Sequence, residues 1–210
     1  MNILVTGANG KLGRAVCNSL NNFNLIKFTH GNSVLQRAKN EYAGELAMKD
    51  HVDIVFEENE IDVVVHLAVS RNPMSNPRIR SFETLEKDNK ILFNILSNCK
   101  KVEKFLFSSS ASVYGFAHFK DEVAAKEVSD RFLECILKDS LDNTVVDISQ
   151  HPHPTTNPDP LKHLDSSLTD GRNDNRMLNG LSKYTNEMII EAYASENAMS
   201  FVNFRIHRIV

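Results

Sequence analysis

Thr6-Gly7-Ala8-Asn9-Gly10-Lys11-Leu12-Gly13 is the stretch on which the fold turns. The apolar run Ile3-Leu4-Val5 leads into it, and Leu12, Ala15, Val16 and Leu20 follow it at helical spacing. A glycine-rich turn between a strand and a helix brings backbone amides and the positive end of the helix together with no Cβ atoms intervening. Such an arrangement suits a pyrophosphate. The pattern therefore predicts dinucleotide binding by Gly7, Asn9, Gly10, Lys11, Leu12 and Gly13. A glycine turn without a ligand is the plainer reading, and strand before plus helix after argue against it.

Further along the chain the same rhythm repeats. Leu25-Ile26-Lys27-Phe28 reads as a second strand, Val52, Ile54, Val55 and Phe56 as a helix, and Asp62-Val63-Val64-Val65-His66-Leu67-Ala68 as a strand apolar enough to be buried on both faces. Ile91, Leu92, Ile95 and Leu96 mark another helix, and Lys104-Phe105-Leu106-Phe107 a strand ending in Ser108-Ser109-Ser110. Strands alternating with helices imply an α/β fold, a doubly wound parallel sheet of Rossmann type. Residues 116–178 break the rhythm and read as an atypical insertion within one domain spanning 1–210. It holds an amphipathic helix on Val128, Phe132, Leu133, Ile136 and Leu137, then a loop, His151-Pro152-His153-Pro154-Thr155-Thr156-Asn157-Pro158-Asp159-Pro160, whose prolines exclude helix and central strand. A helix resumes at Leu181 with Met188, Ile189, Ala192 and Tyr193, and Phe201-Val202-Asn203-Phe204-Arg205-Ile206 forms a last strand.

Composition narrows the function classes. A net charge of −3, with lysines and arginines scattered along the chain, points away from nucleic acid and anionic membranes and toward a small molecule. No apolar run reaches the roughly 18 residues that span a bilayer. Cys17, Cys99 and Cys135 are widely spaced and read as reduced core thiols, so a cytoplasmic protein is expected. His151 and His153 lack a nearby cysteine or carboxylate cluster at ligand spacing, and no metal site is expected. His66, at the end of a buried strand, reads as a hydrogen-bonded core histidine.

At the end of the second strand an acid ordinarily accepts the ribose hydroxyls of NAD, and a basic residue the extra phosphate of NADP. Thr29 and His30 stand there, with Arg14 and Arg37 as candidate phosphate partners or simply solvated charges. The cofactor is therefore read as NAD or NADP.

Several segments, in chain order, resemble the extended short-chain dehydrogenase/reductase family, in its NAD-dependent epimerase/dehydratase branch acting on nucleotide sugars. Thr6 to Gly13 resembles that family's glycine loop, Gly44-Glu45-Leu46 its adenine-contacting turn, and His66-Leu67-Ala68, continuing into Val69, its fourth-strand cofactor segment. Asn89 falls at its helix asparagine. Ser108-Ser109-Ser110-Ala111-Ser112-Val113-Tyr114-Gly115 is similar to its fifth-strand signature, and Gly180-Leu181-Ser182-Lys183 to the end of its Tyr-Gly-x-Ser-Lys motif. The resemblance implies cofactor contacts from Glu45, Leu46, Leu67, Ala68, Val69, Asn89, Ser108 and Lys183. It also implies a substrate-orienting serine at Ser110 and a lysine at Lys183 that supports a tyrosine four residues earlier, the spacing at which side chains meet on one helix face.

Asn179 occupies that tyrosine position, and an amide does not titrate near neutral pH. The chain's tyrosines are Tyr42, Tyr114, Tyr184 and Tyr193, none of them in the insertion. The chain also ends near the strand that precedes the family's smaller substrate domain, so most of that domain is expected to be lacking. Three readings follow: an oxidoreductase of a nucleotide sugar or related carbohydrate; a catalytically silent NAD(P)-binding regulatory or partner subunit; or a truncated or divergent product whose insertion and terminus have no selected role. Family members pair through helices corresponding to those around Leu92 and Met188, which implies a homodimer.

Overall fold

Alternate residues of the buried strands feed two separate cores, one on each side of a sheet. In β1 (Asn2–Thr6), Ile3 and Val5 join one core and Leu4 the other; in β5 (Val63–His66), Val63 and Val65 part from Val64 in the same way. The computed structural model describes residues 1–70, 82–114, 122–138, 143–148 and 176–209. Among these, eight strands form one sheet in the order β3-β4-β2-β1-β5-β6-β9-β8, with β2 at Asn24–His30, β3 at Gln36–Ala38, β4 at Glu41–Gly44, β6 at Lys104–Ser110, β8 at Thr144–Ile148 and β9 at Ser200–Ile206. Every pairing is parallel except β3 with β4.

Helices α1 (Lys11–Ser19) and α4 (Ala125–Leu137) cover one face through Leu12, Val16, Val128, Phe132 and Ile136. Phe132 stacks on Phe204 with ring centroids 4.1 Å apart, seating α4 on β9. Helices α2 (Lys49–Glu58), α3 (Phe82–Leu96) and α5 (Arg176–Asn197) cover the other through Val52, Val55, Ile91, Leu92, Ile95, Ile190 and Ala194. The doubly wound parallel sheet expected from the sequence is thus the observed architecture.

Several features depart from the sequence reading, the unforeseen strand β4 among them. The apolar pattern gives no sign of β3, whose residues are exposed throughout, because an edge strand with one partner has little to bury. Residues 116–178 hold a strand besides the expected amphipathic helix, since β8 extends the sheet beyond β9, with Ile148 in the core beside α4. A two-residue strand in the same region, β7 (Glu122–Val123), pairs with β10 (Arg208–Ile209). Helix α5 begins five residues before Leu181, which places Asn179 on the helix. The proline run with His151 and His153 lies outside the described residues.

Candidate functional site

Strands β1, β5 and β6 end together, and their C-terminal edge is where the sequence-predicted residues gather. After β1, Gly7 takes a left-handed φ of +70° and donates its N–H to Phe28 O at 2.9 Å, binding the loop to β2. A Cβ on Gly13 would lie 2.2 Å from Gly7 O, so only glycine lets the first turn of α1 sit this close to the loop. The N-cap of α1, Gly10, has no side chain to satisfy the helix's first N–H groups, and no acid stands in its first turn. Lys11 is exposed at that turn, whereas Leu12 is buried and anchors the helix.

Thr6 organises the floor of the site. Its Oγ1 accepts N–H bonds from Leu67 (3.2 Å) and Ala68 (3.3 Å), and lies 2.7 Å from His66 Nδ1. With both acceptor positions filled, the Thr6 hydroxyl hydrogen goes to Nδ1, leaving the His66 proton on Nε2. Burial, aided by the charge of Lys183, pushes His66 down to about 3, so the ring is neutral. The expected core histidine is confirmed. It stacks on Phe107, over whose ring the Lys183 ammonium sits 4.5 Å from the centroid.

Lys183 is buried, and its Nζ donates to Ser108 O at 2.7 Å, so the helix-face cation of the sequence reading is an interior group aimed at the end of β6. Beneath it, Arg205 of β9 and Glu187 of α5 form a buried forked ion pair (Nη2 to Oε2 2.8 Å, Nε to Oε1 3.1 Å), and the Ser109 hydroxyl donates to the same carboxylate. This pair fixes α5 against the sheet and therefore fixes Lys183. Ser182 Oγ donates to the buried Asp88 of α3 at 3.2 Å, and the Ser70 N–H donates to the other oxygen of that carboxylate at 2.7 Å.

Ser110 and Asn179 come together through Ser112, a residue the sequence reading did not single out. The Asn179 amide donates to Ser112 Oγ at 2.7 Å, and Ser112 Oγ donates to Ser110 Oγ at 2.9 Å. The Ser112 N–H donates to the same Ser110 oxygen at 3.1 Å. Ser110 thus accepts twice from one residue and keeps its own hydroxyl hydrogen for a further acceptor. Gly180 makes the approach possible, because a Cβ there would lie 2.4 Å from Ser112 O. Tyr184 packs on Ala111 and Val113, Tyr42 donates to Glu58 at 2.8 Å, and Tyr193 packs against the core with its hydroxyl unpartnered. Among the described side chains, then, no tyrosine replaces the missing one.

Beyond β4, Glu45 follows Gly44 directly. Its carboxylate pairs with Lys87 at 2.8 Å and accepts the Ala47 N–H at 3.3 Å. Burial opposes its charge, but Lys87, Ala47 and the nearby His30 together hold it below the usual carboxylate range. Leu46 is buried, and its carbonyl is held by Asn94 at 2.9 Å. Thr29 donates to Tyr42 O at 3.2 Å, while His30 is exposed. Asn9 O accepts from Arg14 at 2.7 Å, and Arg37 pairs with Glu58, so both arginines bond protein groups. Val69 is exposed, and Asn89 Oδ1 is buried without a hydrogen-bond partner. No cluster of metal-ligating side chains exists among the described residues, nor a helix long and apolar enough to cross a membrane.

The glycine cradle, the uncapped α1 terminus, the interior Lys183 and the orphaned Asn89 oxygen fit a dinucleotide. The model of the NAD dependent epimerase/dehydratase family matches residues 3–131. A UDP-glucose 4-epimerase of Caenorhabditis elegans is 32% identical over 138 residues, covering 55% of this chain and 39% of that protein. Two solved structures share the fold. The UDP-glucose 4-epimerase of Thermus thermophilus in complex with NAD is 18% identical over 98% of this chain and 54% of its own, at a TM-score of 0.61. That of Bifidobacterium longum in complex with NAD⁺ and UDP is 19% identical over 98% of this chain and 52% of its own, at 0.59. The chain thus spans about half the length of these solved relatives.

Proposed function

The chain belongs to the NAD dependent epimerase/dehydratase family, and on that footing we propose that it binds NAD(P) and acts as an oxidoreductase on a nucleotide sugar or related carbohydrate. The observation that carries the proposal is the junction of the Gly7–Gly13 cradle with Lys183 and Ser110 along one edge of the sheet.

In this reading Gly7, Asn9, Gly10, Lys11, Leu12 and Gly13 hold the pyrophosphate at the α1 terminus, while Thr29, His30, Glu45 and Leu46 surround the adenosine. Leu67, Ala68, Val69, Asn89 and Ser108 line the path to the nicotinamide, whose ribose Lys183 contacts. A bound nicotinamide supplies a hydride donor or acceptor at its C4. Ser110 gives its free hydroxyl hydrogen to the substrate oxygen and orients it. Asn179 sets the direction of that hydroxyl through Ser112, and proton exchange with the substrate oxygen falls to water, because neither an amide nor an unactivated serine is a general base near neutral pH. The exposed Phe93 and Met188, on neighbouring α3 and α5, support the dimer reading; Leu92 itself is fully buried in the core. Three free thiols support a reducing, cytoplasmic setting.

The amide at position 179 favours a second reading, in which the chain binds cofactor without turnover as a regulatory or partner subunit. Calorimetric titration with NAD⁺, NADH, NADP⁺ and NADPH, followed by an absorbance screen for cofactor reduction with nucleotide sugars, separates the two. Binding with turnover supports the first reading and binding without turnover the second; no binding of any dinucleotide overturns both.

A further inference from the structure

Asparagine followed by glycine occurs twice in the chain, at Asn9-Gly10 in the glycine cradle and at Asn179-Gly180 at the other end of the site. Such a pair can lose its side-chain amide without an enzyme. The backbone nitrogen of the glycine gives up its proton and attacks the asparagine Cγ, the Cγ–Nδ2 bond breaks and ammonia leaves. Water then opens the cyclic imide to the carboxylate of aspartate or isoaspartate. Glycine favours the first step because no Cβ hinders its nitrogen. We propose that Asn9 is a self-modification site, deamidating to a carboxylate whose charge shuts the α1 terminus to anions. The modification stands on local geometry alone, whereas its effect on a cofactor rests on the cofactor reading above.

The two pairs differ in what governs this reaction. Asn179 lies within α5, where helical backbone turns the Gly180 nitrogen away from Cγ. Its amide is tied to Ser112 Oγ at 2.7 Å, and Gly180 is pressed against Ser112 O. Asn9 is exposed in the turn ahead of α1, and Gly10, the N-cap, has extended backbone (φ −67°, ψ 169°). The Gly10 N–H donates to Gly7 O at 3.0 Å, a turn bond that opens without unwinding a helix. The Arg14 guanidinium donates to Asn9 O at 2.7 Å, on the carbonyl of the peptide bond whose nitrogen must ionise. Lys11, exposed and next in the chain, brings a second cation. Positive charge favours the deprotonated nitrogen, as it does any neighbouring acid's conjugate base. The product also suits the fold. Helix α1 has no side-chain cap and no acid in its first turn, so its positive end receives a carboxylate at position 9 favourably. That same charge repels a pyrophosphate from the helix terminus. Deamidation at Asn9 therefore weakens anion binding while the fold stays intact.

The test incubates the purified full chain in mildly alkaline buffer and assigns each amide-to-acid conversion by mass spectrometry and fragmentation of its peptides. Asn9 is expected to convert at least about tenfold faster than Asn179, a difference of about 1.4 kcal/mol in barrier. Arg14→Met should slow conversion at Asn9 several-fold and leave Asn179 unaffected. Equal rates at the two asparagines, or no conversion at Asn9, overturn the modification. Calorimetry with NAD⁺ reads its effect in Asn9→Asp, which reproduces the aspartate product. Affinity should fall roughly tenfold at low salt and recover in part at high salt, while the thermal unfolding midpoint holds or rises. Asn9→Ser, which removes the amide without adding charge, should lose less. If Asn9→Asp binds NAD⁺ as well as Asn9→Ser does, the charge has no such effect and that half of the proposal falls. If the unmodified wild type binds no dinucleotide, the cofactor reading fails and the effect on cofactor with it, and the mass spectra alone then uphold or overturn the modification.

Discussion

At one end of the candidate site, Gly7, Gly10 and Gly13 form a cradle so tight that a single methyl group on Gly13 has no room. At the other, Asn179 stands where the family resemblance calls for tyrosine, and it is tied into a hydrogen-bonded chain through Ser112 to Ser110. The first end answers to the backbone: the ligand proposed for it would be met by N–H groups and shape, so few residue types are admissible. The second answers to side-chain chemistry, and there one substitution removes the proton-transfer group while the surrounding architecture stays in place. On the proposed function, cofactor binding and turnover are therefore separable, and the sharpest experiments act on one end and read the other.

Asn179→Tyr has the largest expected effect. Restoring a phenol four residues before Lys183 puts it where the buried ammonium favours its ionised form, and positioned acid–base catalysis is worth roughly 10²–10⁴-fold. Turnover of a nucleotide sugar, followed as reduction of bound cofactor, should rise by that order while the dissociation constant for cofactor changes little. If turnover stays flat although the variant folds and binds cofactor, the chemistry end is deficient in more than one residue, and the silent-subunit reading prevails.

Gly13→Ala acts on the opposite end. Its Cβ would meet Gly7 O at 2.2 Å and the backbone of Ala8 at 2.8 Å, so either α1 or the loop must move. Overpacking against backbone costs on the order of 3 kcal/mol, and the displaced amides lose the pyrophosphate. Chemical denaturation and calorimetry should show a clear loss of both stability and NAD⁺ binding; wild-type stability would mean that the cradle is looser than its geometry implies.

The contrast also bears on how much could be read from sequence. The cradle was legible because strand, glycines and helix fall within some twenty consecutive residues, and the buried strands because aliphatic residues run unbroken through Val63–Val65 and Ile3–Val5. Strand β3 was not, since an exposed edge leaves no apolar signature, nor was β8, hidden in a segment whose prolines dominate the pattern. In the site, Lys183 and Ser110 were recognisable by motif, whereas Ser112 was not. Its part depends on Asn179, 67 residues away in sequence, and only the close approach at Gly180 brings the two together. The burial of Lys183 was likewise invisible, because the Arg205–Glu187 pair that seats α5 is a tertiary fact.

A third expectation concerns His66, beneath the cofactor end. Its folded value of about 3 lies below the ordinary imidazole value near 6.5, so the unfolded chain takes up the proton first as pH falls. The stabilisation is complete above about pH 6.5 and is lost progressively between there and about pH 3. Between pH 7.5 and pH 5 this one group should account for a loss of about 2 kcal/mol. Urea unfolding at the two pH values, in the wild type and in His66→Asn, checks it. The variant should show a pH dependence weaker by that amount, and equal slopes would mean that water reaches the ring.

The smallest effect asks whether the chemistry end is a built structure or a chance contact. Ser112→Ala removes the hydroxyl that joins Asn179 to Ser110 and leaves the Asn179 amide without that acceptor, which should cost about 1 kcal/mol. Asn179→Ala should cost a similar amount. Because the two share one bond, the double variant should be less destabilised than the sum of the singles, with a coupling of about 1 kcal/mol. Ser112→Thr keeps the hydroxyl and should restore most of the loss. Strict additivity in the cycle would separate Asn179 from Ser112 and, with it, remove the physical reason for giving the amide any part in directing the Ser110 hydroxyl. A measured coupling would mean that the amide stabilises an organised site even though it cannot move a proton there.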